Sequence, residues 1–313
     1  GSTASVGGFG DLTLGVINSA PGLTLAKVGS DTLNLNTDNL NTLLGPISVG
    51  AGILKLGNAN ALGSTGQGTV IGAAFTTGAT STTVVGSTTV TVSSTAGLQI
   101  GQAVTGASGS NVRIQPGAVI TSILSATQFT ISHAAIGAAA DVIVTVTGGG
   151  LIDLNGFSTS ELLTIAGTGR SNFTSARNTL GALINTAAGT STLGGAVTLA
   201  GAASVGSDWI NATSGGSAGG GITMSGVVSG AFGLTKVGNS TLTLTAANTF
   251  NALAITQGSV VLSGAGTIGS GGAATVGTGV VTGLTPQNTL SLDYAANATA
   301  NRLTDAQALT LNG

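Results

Sequence analysis

The chain has no cysteine, one histidine and four prolines, and of its 313 residues only 5% are charged and 3% aromatic. Without cysteine there are no disulfides, thiolate metal ligands or thiol nucleophiles, and the redox compartment stays open. Seven Lys plus Arg against nine Asp plus Glu leave a net charge of −2 and no basic block able to follow a phosphate backbone, which excludes nucleic acid as a partner. No apolar run reaches the roughly 18 residues that a membrane helix needs, because Gly, Thr, Ser or Asn interrupts each one, so this segment has no membrane span. No signal peptide begins at Gly1, and the sequence reads as a mature or excerpted piece. So little charge leaves solubility to hydroxyls and amides, and it favours self-association.

The scarcity of aromatics excludes a wide globular core packed with large rings. What the chain does hold is 54 Gly and a hydrophobic share of 42%, which suits a thin core of stacked Val, Ile, Leu and Ala renewed at short intervals by turns.

An internal repeat organises these residues. "GLTLAKVGSDTLNLNTDNLNTLLGPISVGAGILKLG" (22–57) matches "GLTKVGNSTLTLTAANTFNALAITQGSVVLSGAGTIG" (233–269). Lys27, Gly29, Leu33, Leu35 and Asn39 fall on Lys236, Gly238, Leu242, Leu244 and Asn248. After a short insertion, Ile47, Val49, Gly52, Leu54 and Leu56 fall on Leu253, Ile255, Gly258, Val260 and Leu262. Each copy alternates apolar and polar residues with a period of two, which sends Leu242 and Leu244 inward and Thr241, Thr243 and Thr245 outward. Gly238, Asn239, Asn248, Gly258 and Gly264 mark corners, where left-handed backbone is cheapest for these residue types. Strand and corner at this spacing predict the coil of a solenoid. Asn39 and Asn248 are expected at corners, either in an amide ladder or as satisfied turn residues. Lys27 and Lys236 are expected as solvated corner lysines that discourage lateral strand pairing.

"LTKVGNSTLTLTAANTF" followed by "ITQGSVVLSG" resembles the autotransporter-associated β-strand repeat, the passenger repeat of large secreted bacterial surface proteins. Phe250 stands where that repeat usually has Tyr, and Asp38-Asn39-Leu40 replaces Ala-Asn-Thr in the N-terminal copy. The resemblance implies a right-handed parallel β-helix, an extracellular or bacterial cell-surface location and export through an outer-membrane translocator. With about 20 to 25 residues per coil, it predicts about ten rungs and a rod roughly 50 Å long.

Residues 87–146 do not follow the coil period. They read as five or six longer strands with Gly-rich and Pro-Gly turns, and they resemble a small β-sandwich module of bacterial surface proteins. The expected fold is therefore all-β: β-helix over 1–72, an inserted antiparallel β-sandwich over 73–148, and β-helix again over 149–313. The two ends of the insertion should lie close together.

Candidates for chemistry are few. A catalytic triad or a His-based metal cluster would have to be built around His133, whose setting "FTISHAA" reads as a strand end. The carboxylates Asp11, Asp31, Asp38, Asp141, Asp153, Glu161, Asp208, Asp293 and Asp305 form no close pair in sequence, although neighbouring coils of a β-helix can bring such groups together. The calcium-binding signature Gly-Gly-x-Gly-x-Asp is absent from "GGSAGGG" (215–221) and "GSGGAA" (269–274). Trp209 and Tyr294 read as packing residues. Asn172, Asn211, Asn239 and Asn297 begin Asn-x-Ser/Thr triplets that a Thr-rich chain contains by chance. The reading has no catalytic residue, no cofactor and no metal.

"ALTLNG" at the end and "GSTASV" at the start would continue a repeat if joined. The expected function is that of a non-enzymatic extracellular rod, stacked or tandemly repeated head to tail into a surface fibre or sheath, with other copies of itself as partner. The alternative is an adhesin stalk that binds surface glycans. An ice-binding solenoid would need a flat outward ladder of Thr-x-Thr on successive coils; Thr241, Thr243 and Thr245 offer one such row, which the neighbouring coils do not continue.

Overall fold

The computed structural model describes residues 2–7, 10–29, 31–72, 75–76, 80–95, 98, 100, 102–147, 149–169, 181–206, 219–269, 272–277, 288–295, 302–303 and 307–312. The chain is all-β: a parallel β-helix carrying a separate antiparallel, sandwich-like sheet. Each coil has up to three strands, one on each of three faces. Thr3–Val6, Thr24–Lys27, Ile47–Val49, Thr69–Ile71, Leu163–Gly167, the start of Val197–Val205 and Val228–Ser229 build the first face. Among the described residues ten strands build the second: Leu12–Leu14, Thr32–Leu35, Ile53–Leu56, Leu151–Asp153, Leu183–Ile184, the end of Val197–Val205, Gly233–Lys236, Ala252–Ile255, Ala274–Val276 and Leu309–Leu311. The third face holds Ser191–Leu193, Ile222–Met224, Thr241–Leu244, Ser259–Leu262 and Thr289–Leu292.

The alternation seen in sequence sets the register. On the second face Leu12, Leu33, Leu54, Ile152, Leu183, Val205, Lys236, Ile255, Val276 and Leu311 succeed one another in one inward column. Leu33, Leu35, Leu242 and Leu244 are buried in the shared core, while Thr241 beside Leu242 is exposed. Each such aliphatic side chain contributes roughly 1.5–3 kcal/mol on burial. Phe250, the ring of the C-terminal repeat, is fully buried at the corner that follows.

Leu54 and Ile152 are direct ladder partners although the whole inserted region separates them in sequence. Among the described residues that region forms seven strands: Phe75–Thr76 and Ser81–Thr83, then five over the stretch read as five or six, Thr89–Thr91, Ala103–Ser108, Asn111–Ser125, Gln128–Ile131 and Ala139–Thr147. All the pairings among them are antiparallel, and they enclose their own core of Val90, Val104, Ile120, Phe129, Val142 and Val144. The module leaves and rejoins the rod at one place, since a side chain on Gly149 would sit 3.3 Å from the Gly72 carbonyl oxygen. It also rests on the rod at Gly50, where a Cβ would meet the Ile100 carbonyl oxygen at 2.4 Å.

Candidate functional site

The strands that end in Lys27 and Lys236 place these residues at inward positions, in step with Leu25 and Leu234. Neither lysine is solvated, contrary to the expectation from sequence: they are 2% and 1% exposed. The stem lies along the edge of the apolar lumen and the ammonium reaches the corner, where the turning chain points carbonyls away from the ladder. Lys27 Nζ donates to the carbonyls of Val28 (2.8 Å), Gly29 (2.8 Å) and, on the next coil, Ala51 (3.1 Å). Lys236 Nζ donates to those of Val237 (2.7 Å), Gly238 (2.6 Å) and, on the next coil, Gln257 (3.4 Å). An ammonium has three donors, and each lysine directs them at three carbonyls that burial would otherwise leave costly.

Glycine makes the clamp possible. Gly29 and Gly238 adopt φ of 75° and 73°, turning their carbonyls toward the ammonium. One coil on, a Cβ at Gly52 would lie 2.5 Å from the Gly29 oxygen and 2.7 Å from Lys27 Nζ, and one at Gly258 would lie 2.4 Å from the Gly238 oxygen.

Asn39 and Asn248 also occupy buried corners. They form no amide ladder; each ties its own coil to the coils before and after through backbone groups. Ile17 N–H donates to Asn39 Oδ1 (3.0 Å) while Asn39 Nδ2 donates to the Ala61 carbonyl (3.0 Å). Val228 N–H donates to Asn248 Oδ1 (2.8 Å) while Asn248 Nδ2 donates to the Thr267 carbonyl (2.9 Å). Asn185, which the sequence reading missed, does the same: it accepts from Gly156 N–H (2.9 Å) and donates to the carbonyls of Gly189 (3.1 Å) and Gly221 (3.0 Å). Its signal was an Asn directly after the buried strand Leu183–Ile184, outside either recognised repeat. Near the C-terminal end, the buried Arg302 guanidinium donates to the carbonyls of Gly266 (3.0 Å) and Gly264 (2.9 Å).

Among the described residues the other candidates are scattered, except that Asp11 and Asp31 sit on adjacent coils, accepting from Thr32 N–H (2.9 Å) and Gly10 N–H (2.7 Å). His133 is exposed and bonded through Nδ1 to the neighbouring Ser132 hydroxyl (2.9 Å). Asp153 accepts from Asn155 N–H, Thr186 N–H and the Thr186 hydroxyl, with Lys55 Nζ at 3.9 Å. On exposed Asp38, the bonds from Leu40 N–H and the Asn60 amide hold the carboxyl below its ordinary range. Among the described residues, no three His, Cys, Asp or Glu side chains gather as metal ligands do. Tyr294, expected to pack in the core or at a corner, is about half exposed and lies under the Arg302 guanidinium at 4.9 Å, outside the core. Trp209, Asp208, Asp305, Asn172, Asn211 and Asn297 lie outside the described residues. No described helix is long and apolar enough to cross a membrane.

The chain matches no family model and no curated protein. Among solved structures it is aligned with the Gp54 tailspike of Acinetobacter baumannii bacteriophage AP22, solved in complex with A. baumannii capsular saccharide. The two are 11% identical with a TM-score of 0.19, over 94% of this chain and 64% of the tailspike chain. That score is too low to align the two coil by coil.

Proposed function

We propose that the chain is a non-catalytic structural rod of the bacterial cell exterior, repeated or stacked head to tail into a fibre or sheath. The observation that carries this reading is the use of the buried polar side chains. Lys27, Lys236, Asn39, Asn185, Asn248 and Arg302 all donate to backbone carbonyls, and all but Arg302 demonstrably join successive coils. Groups so engaged hold a rod together and are not free to act on a substrate. The ladders supply stiffness along the axis, and the Thr-, Ser- and Asn-rich exterior lets neutral surfaces meet without charge repulsion.

The register supports continuation by another copy. Leu12-Thr13-Leu14 and Leu309-Thr310-Leu311 lie at opposite ends of the second face, each with leucines inward and threonine outward, so adding one to the other preserves the phase of the ladder. The likeness of 233–269 to the autotransporter-associated repeat extends the proposal to a passenger delivered by an outer-membrane translocator. Cryo-electron microscopy of the purified chain at high concentration tests it. Filaments whose rungs run on from residue 311 to residue 12 of the next copy are expected; isolated rods at every concentration would remove self-stacking from the reading.

The second reading, an adhesin stalk that contacts glycans, draws on the module. The module exposes Val84, Val85 and Ile136 near the bond from Gly86 N–H to the Ala135 carbonyl (2.9 Å). Binding of the chain on a glycan array, lost when residues 73–148 are removed, distinguishes this reading from the first.

A further inference from the structure

Glu161 is the one glutamate in the sequence. It shares its inward phase with Leu163 and Ile165, so its side chain enters the lumen at the junction of the third and first faces and is 1% exposed. Oε1 lies 3.4 Å from the hydroxyl of Thr69, itself fully buried, and Oε2 is buried with no hydrogen-bond partner among the described residues.

No cation faces this carboxyl from the strands packed on it. Residues 64–72 on the coil before, 190–199 on the coil after and 158–167 on its own strand contain no other charged or titratable side chain. Lys55 and Asp153 stand at outward positions on the second face. Burial therefore pushes the Glu161 carboxyl up to about 7, against weaker lowering by the bonds from Thr69 and Gly68.

The position matters as much as the burial. Thr69 pairs with Leu163 in the ladder, and the strand Thr69–Ile71 is the last stretch of rod before the inserted module. We propose that Glu161 makes the coil at the root of the module sensitive to protons: neutral, it lies in the lumen with the coil closed over it; ionised, it loosens the junction and frees the module's attachment. The folded-state value is raised above the unfolded one, so the contribution to stability is complete below about pH 4.5 and is lost as pH rises toward 7.

Amide hydrogen exchange on the full chain at pH 5 and pH 8, corrected for the intrinsic rate, tests this. The reporters are the Thr69 amide, bonded to the Leu162 carbonyl (2.8 Å), and the Leu163 amide, bonded to the Ala196 carbonyl (3.0 Å). Their protection is expected to fall about tenfold or more between the two conditions. The Leu253 amide, bonded to Ala273 on a distant coil, should keep its own. In Glu161→Gln the fall should vanish, and Glu161→Leu serves the same purpose should the amide fail to fold. Equal protection of Thr69 and Leu163 at both pH values in the unaltered chain overturns the proposal, as does an unchanged fall in either variant.

Discussion

Lys27 and Lys236 make the same bonds at different edges of the rod. The strand ending in Lys27 lies on the first face and its clamp closes the junction with the second, whereas the strand ending in Lys236 lies on the second face and its clamp closes the junction with the third. The repeated unit has moved a third of a turn around the axis between its two copies. The clamp therefore depends on its own strand and corner, and on the coil after it, rather than on a particular face.

Replacing Lys236 with Met keeps the stem in the lumen and removes the donors. Three corner carbonyls are then left poorly satisfied, at a cost on the order of 3 kcal/mol. Urea denaturation of the variant measures it, and Lys27→Met should behave alike. A loss below about 0.5 kcal/mol would mean that water satisfies these carbonyls just as well.

Asn248→Ala removes an acceptor and a donor at once and strands the Val228 amide and the Thr267 carbonyl. Destabilisation of about 2 kcal/mol is expected, with faster exchange of the Val228 amide specifically. Asn248→Asp should not rescue it, because a carboxylate cannot donate to Thr267. Full stability of the aspartate variant would refute the bridging role.

Gly258→Ala and Gly66→Ala form a matched pair. At Gly258 the backbone has φ of 74° and the new Cβ would press on the Gly238 oxygen at 2.4 Å; at Gly66 nothing lies within 4 Å. The first substitution should cost about 2 kcal/mol or more and the second less than about 0.5. Similar melting temperatures for both would show that the corner adjusts freely.

The module has a core of its own and adjacent attachment points. Joining Gly72 to Gly149 should therefore leave a rod that unfolds cooperatively with undiminished β-sheet circular dichroism. A molten or aggregated product would show that the contact at Gly50 is required for the coils to form.

Much of this was legible in the residues. The repeat alignment placed Ile47 with Leu253 and Val49 with Ile255, and these occupy the equivalent ladder positions beside Leu25, Lys27, Leu234 and Lys236. What misled was residue type overriding phase. In Leu234-Thr235-Lys236 the alternation already put the lysine inward, but a lysine is ordinarily solvated, and only the three carbonyls at the corner reverse that preference. Glu161 repeats the lesson, two positions before Leu163 in the same phase. The shift between copies was not legible at all, because similarity between two segments of a solenoid carries no information about azimuth.

That shift has a consequence for how such a chain can change length. A polypeptide whose units serve on any face has a reading frame of one strand, so it can gain or lose a third of a coil and stay closed. Everything beyond the change then swings about the axis, and a module mounted on the side comes to point in a new direction while the core beneath it keeps its register.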